Sequence, residues 1–175
     1  MTTETKPPKC KVMHVAHRFD TRYYMEDEKG EVELEQVQEE KDLGVFFTND
    51  LKPSTQCQKS AAKARRIIGM VRRNFKRLDK KDFLLLYKTY IRPHIEYCVH
   101  SWSPHLSNDI KHLERVQKAA TELVSSMKRL CYDERLKRLG LTTLQKRQAR
   151  GDLIEVYRIM TSKERIAREQ FFRQA

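Results

Sequence analysis

Apolar residues recur three or four positions apart through most of the chain after residue 53, which is the period of helices that bury one side. The longest such stretch, residues 79–104, has few charges. Its apolar positions are Phe83, Tyr87, Tyr90, Ile91, His94 or Ile95, Cys98 and Trp102. Asp79 is the expected N-cap, and Pro93 is expected to kink the helix because it has no N–H for the preceding turn. The pattern predicts a long, kinked core helix.

A second amphipathic helix is predicted from about residue 54 to residue 78. Its apolar seam has alternating four- and three-residue spacing and consists of Cys57, Ala61, Ala64, Ile68, Val71, Phe75 and Leu78. The nearly opposite side carries a cationic row at the same spacing, formed by Lys59, Lys63, Arg66, Arg73 and Arg77. Three more cations, Arg65, Arg72 and Lys76, widen this row. The sequence contains no acid between Lys59 and Lys76.

Three further helices are predicted after the core helix. The first is capped by Ser107 or Asn108, and its seam is Ile110, Leu113, Val116, Ala120, Leu123 and Met127. A short helix over residues 133–139 is expected to end at Gly140.

The last long helix is predicted to open with Thr142 and Gln145 as a capping-box pair. Its inward residues are expected to be Leu144, Leu153, Ile154, Tyr157 and Met160. The charged tail after it is expected to be loosely held.

Strand signals are confined to the first 50 residues. Residues 9–17 alternate in polarity, and residues 22–25 and 31–34 flank a turn at Gly30, which favours a β-hairpin. A short β-prone run follows at residues 41–47. The expected fold class is therefore α+β, mostly α, with a small N-terminal antiparallel strand and hairpin region before a helical bundle. The predicted organisation is a strand region at 1–52, a helical domain at 53–161 and a tail at 162–175.

The charge of the chain is unevenly distributed. The net charge is +12, but residues 1–50 carry 7 Lys/Arg and 12 Asp/Glu, a balance of −5. The remaining residues carry 29 Lys/Arg and 12 Asp/Glu, a balance of +17. A basic helical part of this kind favours nucleic acid as partner, with an anionic membrane surface as the weaker alternative.

The cysteines and the hydropathy pattern indicate in which cellular compartment the protein is expected. Four single cysteines, Cys10, Cys57, Cys98 and Cys131, form no C-x-x-C motif, and we expect reduced, mostly buried thiols. No apolar run reaches the length of a membrane span, and the N-terminus has no signal-peptide core. The expectation is an intracellular, reducing location, nuclear or cytoplasmic, without membrane contact.

The sequence offers no combination of residues typical of a catalytic or metal site. It has no Gly-rich phosphate loop, nucleophile elbow or paired-carboxylate motif. The histidines His94, His100, His105 and His112 have no Cys or acid at ligand spacing, so we interpret them as core-edge or surface residues. No metal ligand, cofactor or catalytic residue is predicted.

The cationic row is the strongest functional signal that the residues alone provide. Cations in one line can follow a phosphate backbone and bind it in a salt-dependent, sequence-independent way. The alternative is a solvated helix face, although such faces usually mix charges of both signs. Trp102 and the tyrosines could stack on bases, but their helical spacing favours the core.

Several segments, taken in order, resemble the reverse transcriptases (RNA-directed DNA polymerases) of non-LTR, LINE-type retrotransposons of the jockey-like group. KCKVMHV is similar to the palm strand after the catalytic box, and EEKDLGV to the segment that closes the palm at the primer grip. Similar to pieces of the thumb and the helices after it are YKTYIRPHIEYCVHSWSP, LERVQKAAT and RLKRLGLTTLQKRQARGDLIEVYRIM. The resemblance covers nearly the whole chain from residue 9.

The resemblance implies a palm end followed by a thumb-like helical domain. Lys9 would stand near the incoming nucleotide, and Lys41, Asp42, Leu43 and Gly44 near the primer terminus. The cationic helix would follow the template–primer duplex. The family's Tyr/Phe-Ala-Asp-Asp box has no counterpart here, so Mg²⁺, which an intact family enzyme would use, has no ligands in this chain.

Three hypotheses follow from the sequence. The first is a truncated reverse-transcriptase-like fragment, not an enzyme on its own, whose thumb contacts the template–primer backbone. The second is a non-catalytic module that binds an RNA–DNA hybrid or another duplex. The third is a non-functional product, or one that pairs with a protein through the exposed edge at residues 9–47.

Overall fold

Six short strands precede seven α-helices in the part of the chain that the computed structural model describes, which is residues 10–16, 21–27, 30–163 and 172. The strands are β1 Lys11–Val12, β2 Tyr24–Asp27, β3 Gly30–Glu33, β4 Glu35–Gln36, β5 Glu39–Asp42 and β6 Val45–Thr48. The helices are α1 Ser54–Asn74, α2 Lys80–Leu86, α3 Arg92–Glu96, α4 Val99–Trp102, α5 Ser107–Thr121, α6 Tyr132–Leu139 and α7 Leu144–Met160. A π-helical segment, Tyr87–Ile91, joins α2 to α3, and a 3₁₀ turn, Ser125–Met127, follows α5. The predicted fold class, α+β and mostly α, is confirmed.

The strands form three two-stranded sheets. β2 and β3 pair antiparallel with Asp27 opposite Gly30, which confirms the predicted hairpin. β1 and β4 are parallel, in contrast to the antiparallel pairing expected for this region. The first and last parts of the predicted strand at residues 9–17 lie outside the described residues.

The β-prone run at residues 41–47 covers the end of β5, the turn and most of β6 in a second hairpin, β5–β6. Its two-residue turn has φ values of +45° at Leu43 and +90° at Gly44, as a type I′ turn requires. A leucine is unusual at the first of these positions because a left-handed backbone crowds its Cβ. A leucine at this position therefore makes the hairpin hard to predict from the sequence.

The small residues of α1 let its neighbours approach closely. Cys57, Ala61 and Ala64 are 0% exposed, and α1 packs against α5, α3, the π segment and β6. Val45 of β6 belongs to the same core. The core is thus continuous across residue 52, where the sequence predicted a domain boundary.

The end of α1 differs from the prediction. The helix ends at Asn74, four residues earlier than expected, and Phe75 is extended and 47% exposed. Leu78 is buried as predicted and forms an isolated bridge with Val124. The apolar seam therefore continues after the helical backbone has ended.

The stretch 79–104 is not one kinked helix. Asp79 caps α2 as predicted, with its carboxylate accepting from the Asp82 N–H at 2.8 Å. The irregularity before Pro93 is the π segment, and Cys98, at φ +49°, then separates α3 from α4. Tyr90 and Cys98 are exposed, contrary to prediction. The positions that do form the core are Phe83, Tyr87, Ile91, Ile95 and Trp102.

Helix α5 follows its predicted seam but not its predicted cap. Leu106 is the N-cap and has no side-chain cap bond, so neither Ser107 nor Asn108 caps the helix. Leu113, Val116 and Ala120 are buried, while Ile110 is half-buried. The remaining seam residues, Leu123 and Met127, are buried after the helix has ended.

Helix α7 is the largest departure from the predicted burial. Its N-cap is Thr143, one residue after the predicted Thr142. Only Leu144 among the five predicted inward residues is partly buried, and Ile159 is the buried residue of the helix. The exposed ones are Leu153 (72%), Ile154, Tyr157 and Met160. Most of the tail predicted to be loosely held, at 164–171 and 173–175, lies outside the described residues.

A polar network holds the start of α7 against α5. The Tyr87 hydroxyl donates to Gln117, whose amide donates to the Tyr132 hydroxyl and to the Thr142 carbonyl, both at 2.9 Å. Glu114 accepts from the Tyr132 hydroxyl and from the Leu144 N–H. Burial raises the pKa of both tyrosines above the usual value of 10.0, so the hydroxyls keep their protons.

The short helix α6 ends at Leu139 and is capped by Gly140, whose φ is +68°. The predicted stop at Gly140 is therefore confirmed.

The cysteines are less buried than predicted. Burial raises the pKa of the Cys57 thiol to about 12, so this residue is an inert core group. Cys10 is half-buried, whereas Cys98 and Cys131 are exposed. The expectation of mostly buried thiols is therefore wrong for two of the four residues.

Candidate nucleic-acid interface

Burial of one side of α1 leaves its cations on the surface. All eight residues of the predicted basic surface are exposed: Lys59, Lys63, Arg65, Arg66, Arg72, Arg73, Lys76 and Arg77. The structure places six of them on α1 and the last two in the extended segment after it. The helical row is therefore shorter than predicted and ends at Arg73, because Arg77 lies beyond the last turn.

Lys59 differs from the other members of the row because it has intramolecular partners. Its ammonium group forms an ion pair with Glu39 of β5 and lies 3.6 Å from the centre of the Phe46 ring. None of the other seven cations forms an ion pair with a described residue. The members of the cationic row that lie on the helix without an ion-pair partner among the described residues are Lys63, Arg66 and Arg73.

The β5–β6 hairpin adjoins the basic helix. The Phe46 N–H donates to the Gln56 side chain at 3.0 Å, and the Tyr97 hydroxyl donates to the Leu43 carbonyl at 2.9 Å. A Cβ at Gly44 would lie 3.2 Å from the Tyr97 ring, so a side chain larger than that of glycine would crowd this contact. Because α1 and Tyr97 both contact it, the hairpin has a defined position beside α1.

The hairpin carries the residues that the resemblance assigned to the primer end. Leu43 is 84% exposed at the tip, with Gly44 next to it, and Lys41 and Asp42 are exposed on β5. The Lys41 ammonium lies 5.6 Å from the centre of the Phe46 ring. The structure therefore brings these four residues together on one hairpin. Lys9, the fifth, lies outside the described residues.

Two histidines border the basic surface. The pKa of His94 is lowered from 6.5 by burial and by the charge of Lys63. The pKa of His112 is lowered by burial and by Arg65 and Arg115, while Asp109 acts in the opposite direction. Burial is the larger cause for both rings, and the cations Lys63, Arg65 and Arg115 add to it, so these histidines lie beside the basic surface.

Helix α5 adds one further cation, Arg115, to this surface. Arg115 is exposed, and it lines a groove next to α1 together with Arg65 and His112. Asn108, His112 and Arg115 are spaced by four and three residues, which places them on one face of α5. That spacing is visible in the sequence, but only the packing of α5 on α1 shows that this face adjoins Arg65.

The described residues contain no group of three or more His, Cys, Asp or Glu side chains arranged to hold a metal ion. Within the same residues, no helix is long and apolar enough to cross a membrane. Neither observation assigns a function.

The geometry can do one thing chemically, which is to attract and hold polyanions along an exposed helix. The structure provides a helical support, seven cations without an ion-pair partner among the described residues, and a hairpin beside them. Comparison of the chain with protein-family models, curated proteins and solved structures gives no match.

Proposed function

We propose that the protein binds the backbone of a nucleic-acid duplex through the cationic row, and that it is a reverse-transcriptase-like palm end and thumb that binds without polymerising. The observation that carries the proposal is the set of seven exposed cations on and after α1 that have no ion-pair partner among the described residues. The sequence contains no Tyr/Phe-Ala-Asp-Asp box, so binding is the only step assigned to this chain.

The spacing of the cationic row suits a phosphate backbone. From Lys63 to Arg73 the helix rises about 15 Å, which corresponds to about four base-pair steps measured along the axis of a B-form duplex. The row is straight and carries one sign of charge, so it can contact several phosphates of one strand without reading bases. An RNA–DNA hybrid, whose geometry resembles the A form, is the proposed ligand because such duplexes are recognised by backbone and shape.

The test is a salt series of hybrid binding with the triple variant Lys63→Glu, Arg66→Glu, Arg73→Glu. The expected loss is about one unit of the salt slope for each phosphate contact removed, with a fall in affinity of more than tenfold at low salt. Lys59 is left unchanged because it is already paired with Glu39. An unchanged affinity and an unchanged salt dependence of binding in the variant would contradict the proposal.

A charge-matched control separates the local surface from the overall charge. Lys128, Lys137 and Arg138 are exposed and lie after α5 and on α6, away from α1 along the chain. Their triple replacement by glutamate changes the net charge equally and is expected to reduce the affinity much less. A primer-extension assay with the unaltered chain is expected to give no extended product, and extension would contradict the assignment of binding alone.

A further inference from the structure

A polar groove lies between α1 and α5 and is lined by residues of both helices. It has a volume of about 420 Å³. Its lining residues are Gln58, Arg65, Asn108, Asp109, His112 and Arg115. Every one of these side chains is polar, so the groove suits a hydrophilic ligand of the size of a phosphate group with its substituents.

The charges of the groove are unbalanced. Arg65 from α1 and Arg115 from α5 form no ion pair with a described residue. Asp109 is buried, and its carboxylate already accepts a hydrogen bond from the Ser54 hydroxyl at 2.7 Å. Two guanidinium groups therefore share a groove with one carboxylate that is partly satisfied elsewhere. Two guanidinium groups that line one groove match the oxygens of a phosphate.

We infer that this groove is a phosphate-binding site in which Arg65 and Arg115 hold the phosphate oxygens and the protonated imidazole of His112 donates to them. The amides of Gln58 and Asn108 supply neutral donors at the rim. The inference rests on the proposed function for the source of the phosphate, which is a nucleic-acid strand. The phosphate is either an internal diester of the backbone or a terminal monoester, and the two share the chemistry recognised here.

Phosphate binding at this site takes up a proton. The charged groups that face His112 are Arg65 on α1 and Arg115 and Asp109 on α5. Burial first, and the two cations after it, hold the pKa of His112 below 6.5. A phosphate between the arginines offsets their charge and raises the pKa of His112 again. Binding of a phosphodiester is therefore expected to tighten as the pH falls below 6.5 toward the folded-state pKa of His112, in contrast to a purely arginine site.

The experiment follows the C–H resonances of the six histidines by NMR across a pH titration of the full chain, with and without inorganic phosphate. The His112 signal is assigned with the variant His112→Gln. The expected result is a rise of the His112 titration midpoint with phosphate in the unaltered chain, and no such rise in Arg115→Gln. Lys118→Gln, which removes an exposed cation of α5 outside the groove, is expected to keep the effect. An equal response of all histidines, or an unchanged His112 midpoint, overturns the site.

Hybrid binding by the same variants separates this inference from the proposed function. Arg115→Gln is expected to weaken hybrid binding about tenfold and Lys118→Gln less than threefold. Comparison of 5′-phosphorylated and 5′-hydroxyl hybrids then distinguishes a terminal from an internal phosphate. If the hybrid binds with its salt dependence intact but Arg115→Gln and Lys118→Gln bind it equally well, the groove assignment is wrong and the proposed function stands. If phosphate moves His112 but no hybrid binds, the nucleic-acid source is wrong, and with it the proposed function.

Discussion

Helices α1 and α7 are both amphipathic in sequence, but the structure covers the apolar side of only one of them. On α1, Ala61 and Ala64 are 0% exposed, and four other elements contact the helix. On α7, the spacing of Leu153, Tyr157 and Met160 is equally regular, yet all three are exposed. The chief neighbour of α7 is α5. The spacing of apolar residues thus predicts that a helix has an apolar and a polar side. It does not predict whether another element covers the apolar side.

The two helices are also held differently. Helix α1 is held by close apolar packing around small residues, which tolerates little change in volume. Helix α7 is held at its first two turns by polar contacts, including the Glu114 bond to the Leu144 N–H and an ion pair of Arg147 with Glu96 at 2.7 Å. The first attachment buries apolar area, whereas the second depends on matched donors and acceptors. Four changes test this contrast.

The largest effect is expected from Ile68→Ala on the buried side of α1. Ile68 is 5% exposed and part of the core, so its truncation removes apolar contacts and leaves a cavity. The expected loss is about 2–4 kcal/mol of unfolding free energy, measured by urea denaturation. A loss below about 1 kcal/mol would show that this side of α1 is less tightly packed than the structure indicates.

The next effect is expected from Gln117→Leu, which breaks the polar attachment of α7. The change leaves the Tyr87 hydroxyl and the Thr142 carbonyl without their Gln117 partner, at a cost of about 1–3 kcal/mol. Amide hydrogen exchange should accelerate in the first turns of α7 more than in α1. Equal acceleration in both helices would contradict separate modes of attachment.

A smaller change in unfolding free energy is expected from a change of pH. The histidines responsible, His94 and His112, interact with cations of α1. His94 and His112 have folded-state pKa values below 6.5, so the unfolded chain binds more protons as the pH falls through that window. Unfolding free energy should therefore decrease as the pH drops below 6.5 and level off below the folded-state values. The double variant His94→Gln, His112→Gln should show a flatter profile in denaturation at about pH 7.5 and 5.5. A profile as steep as that of the parent would assign the pH dependence to other groups.

The smallest effect is expected from Leu153→Ser on α7. Leu153 is 72% exposed, so its replacement should change the unfolding free energy by less than about 0.5 kcal/mol. The comparison partner is Ile68→Ala, measured under the same conditions. A loss above about 1.5 kcal/mol would mean that the apolar side of α7 is covered in solution.

The sequence predicted the elements better than their ends and contacts. The period of α1, the Asp79 cap and the Gly140 stop follow from local rules, and the structure confirms all three. Phe75 fits the period equally well but is exposed, because the helix ends at Asn74 and the chain is extended at Phe75. Local pattern cannot show where tertiary packing ends a helix.

The candidate site was predicted in part for the same reason. Exposed cations on one helix follow from spacing alone, and Lys63, Arg66 and Arg73 are where the sequence places them. The ion pair of Lys59 with Glu39 joins residues 20 positions apart in different elements. The groove between Arg65 and Arg115 likewise depends on how two helices pack. Neither long-range relation leaves a signal in a single sequence.

The π-helical segment Tyr87–Ile91 has a consequence for the phase of the helix that contains it. Phe83, Tyr87, Ile91 and Ile95 are spaced by four residues, and all are at most 2% exposed. In an uninterrupted α-helix each four-residue step turns the side chain by about 40°, so the last of the four would point well away from the first. The wider turn takes up one additional residue and reverses this drift. The π segment thus keeps the side chains of a strictly four-residue repeat on the buried face of a helix that otherwise has 3.6 residues per turn.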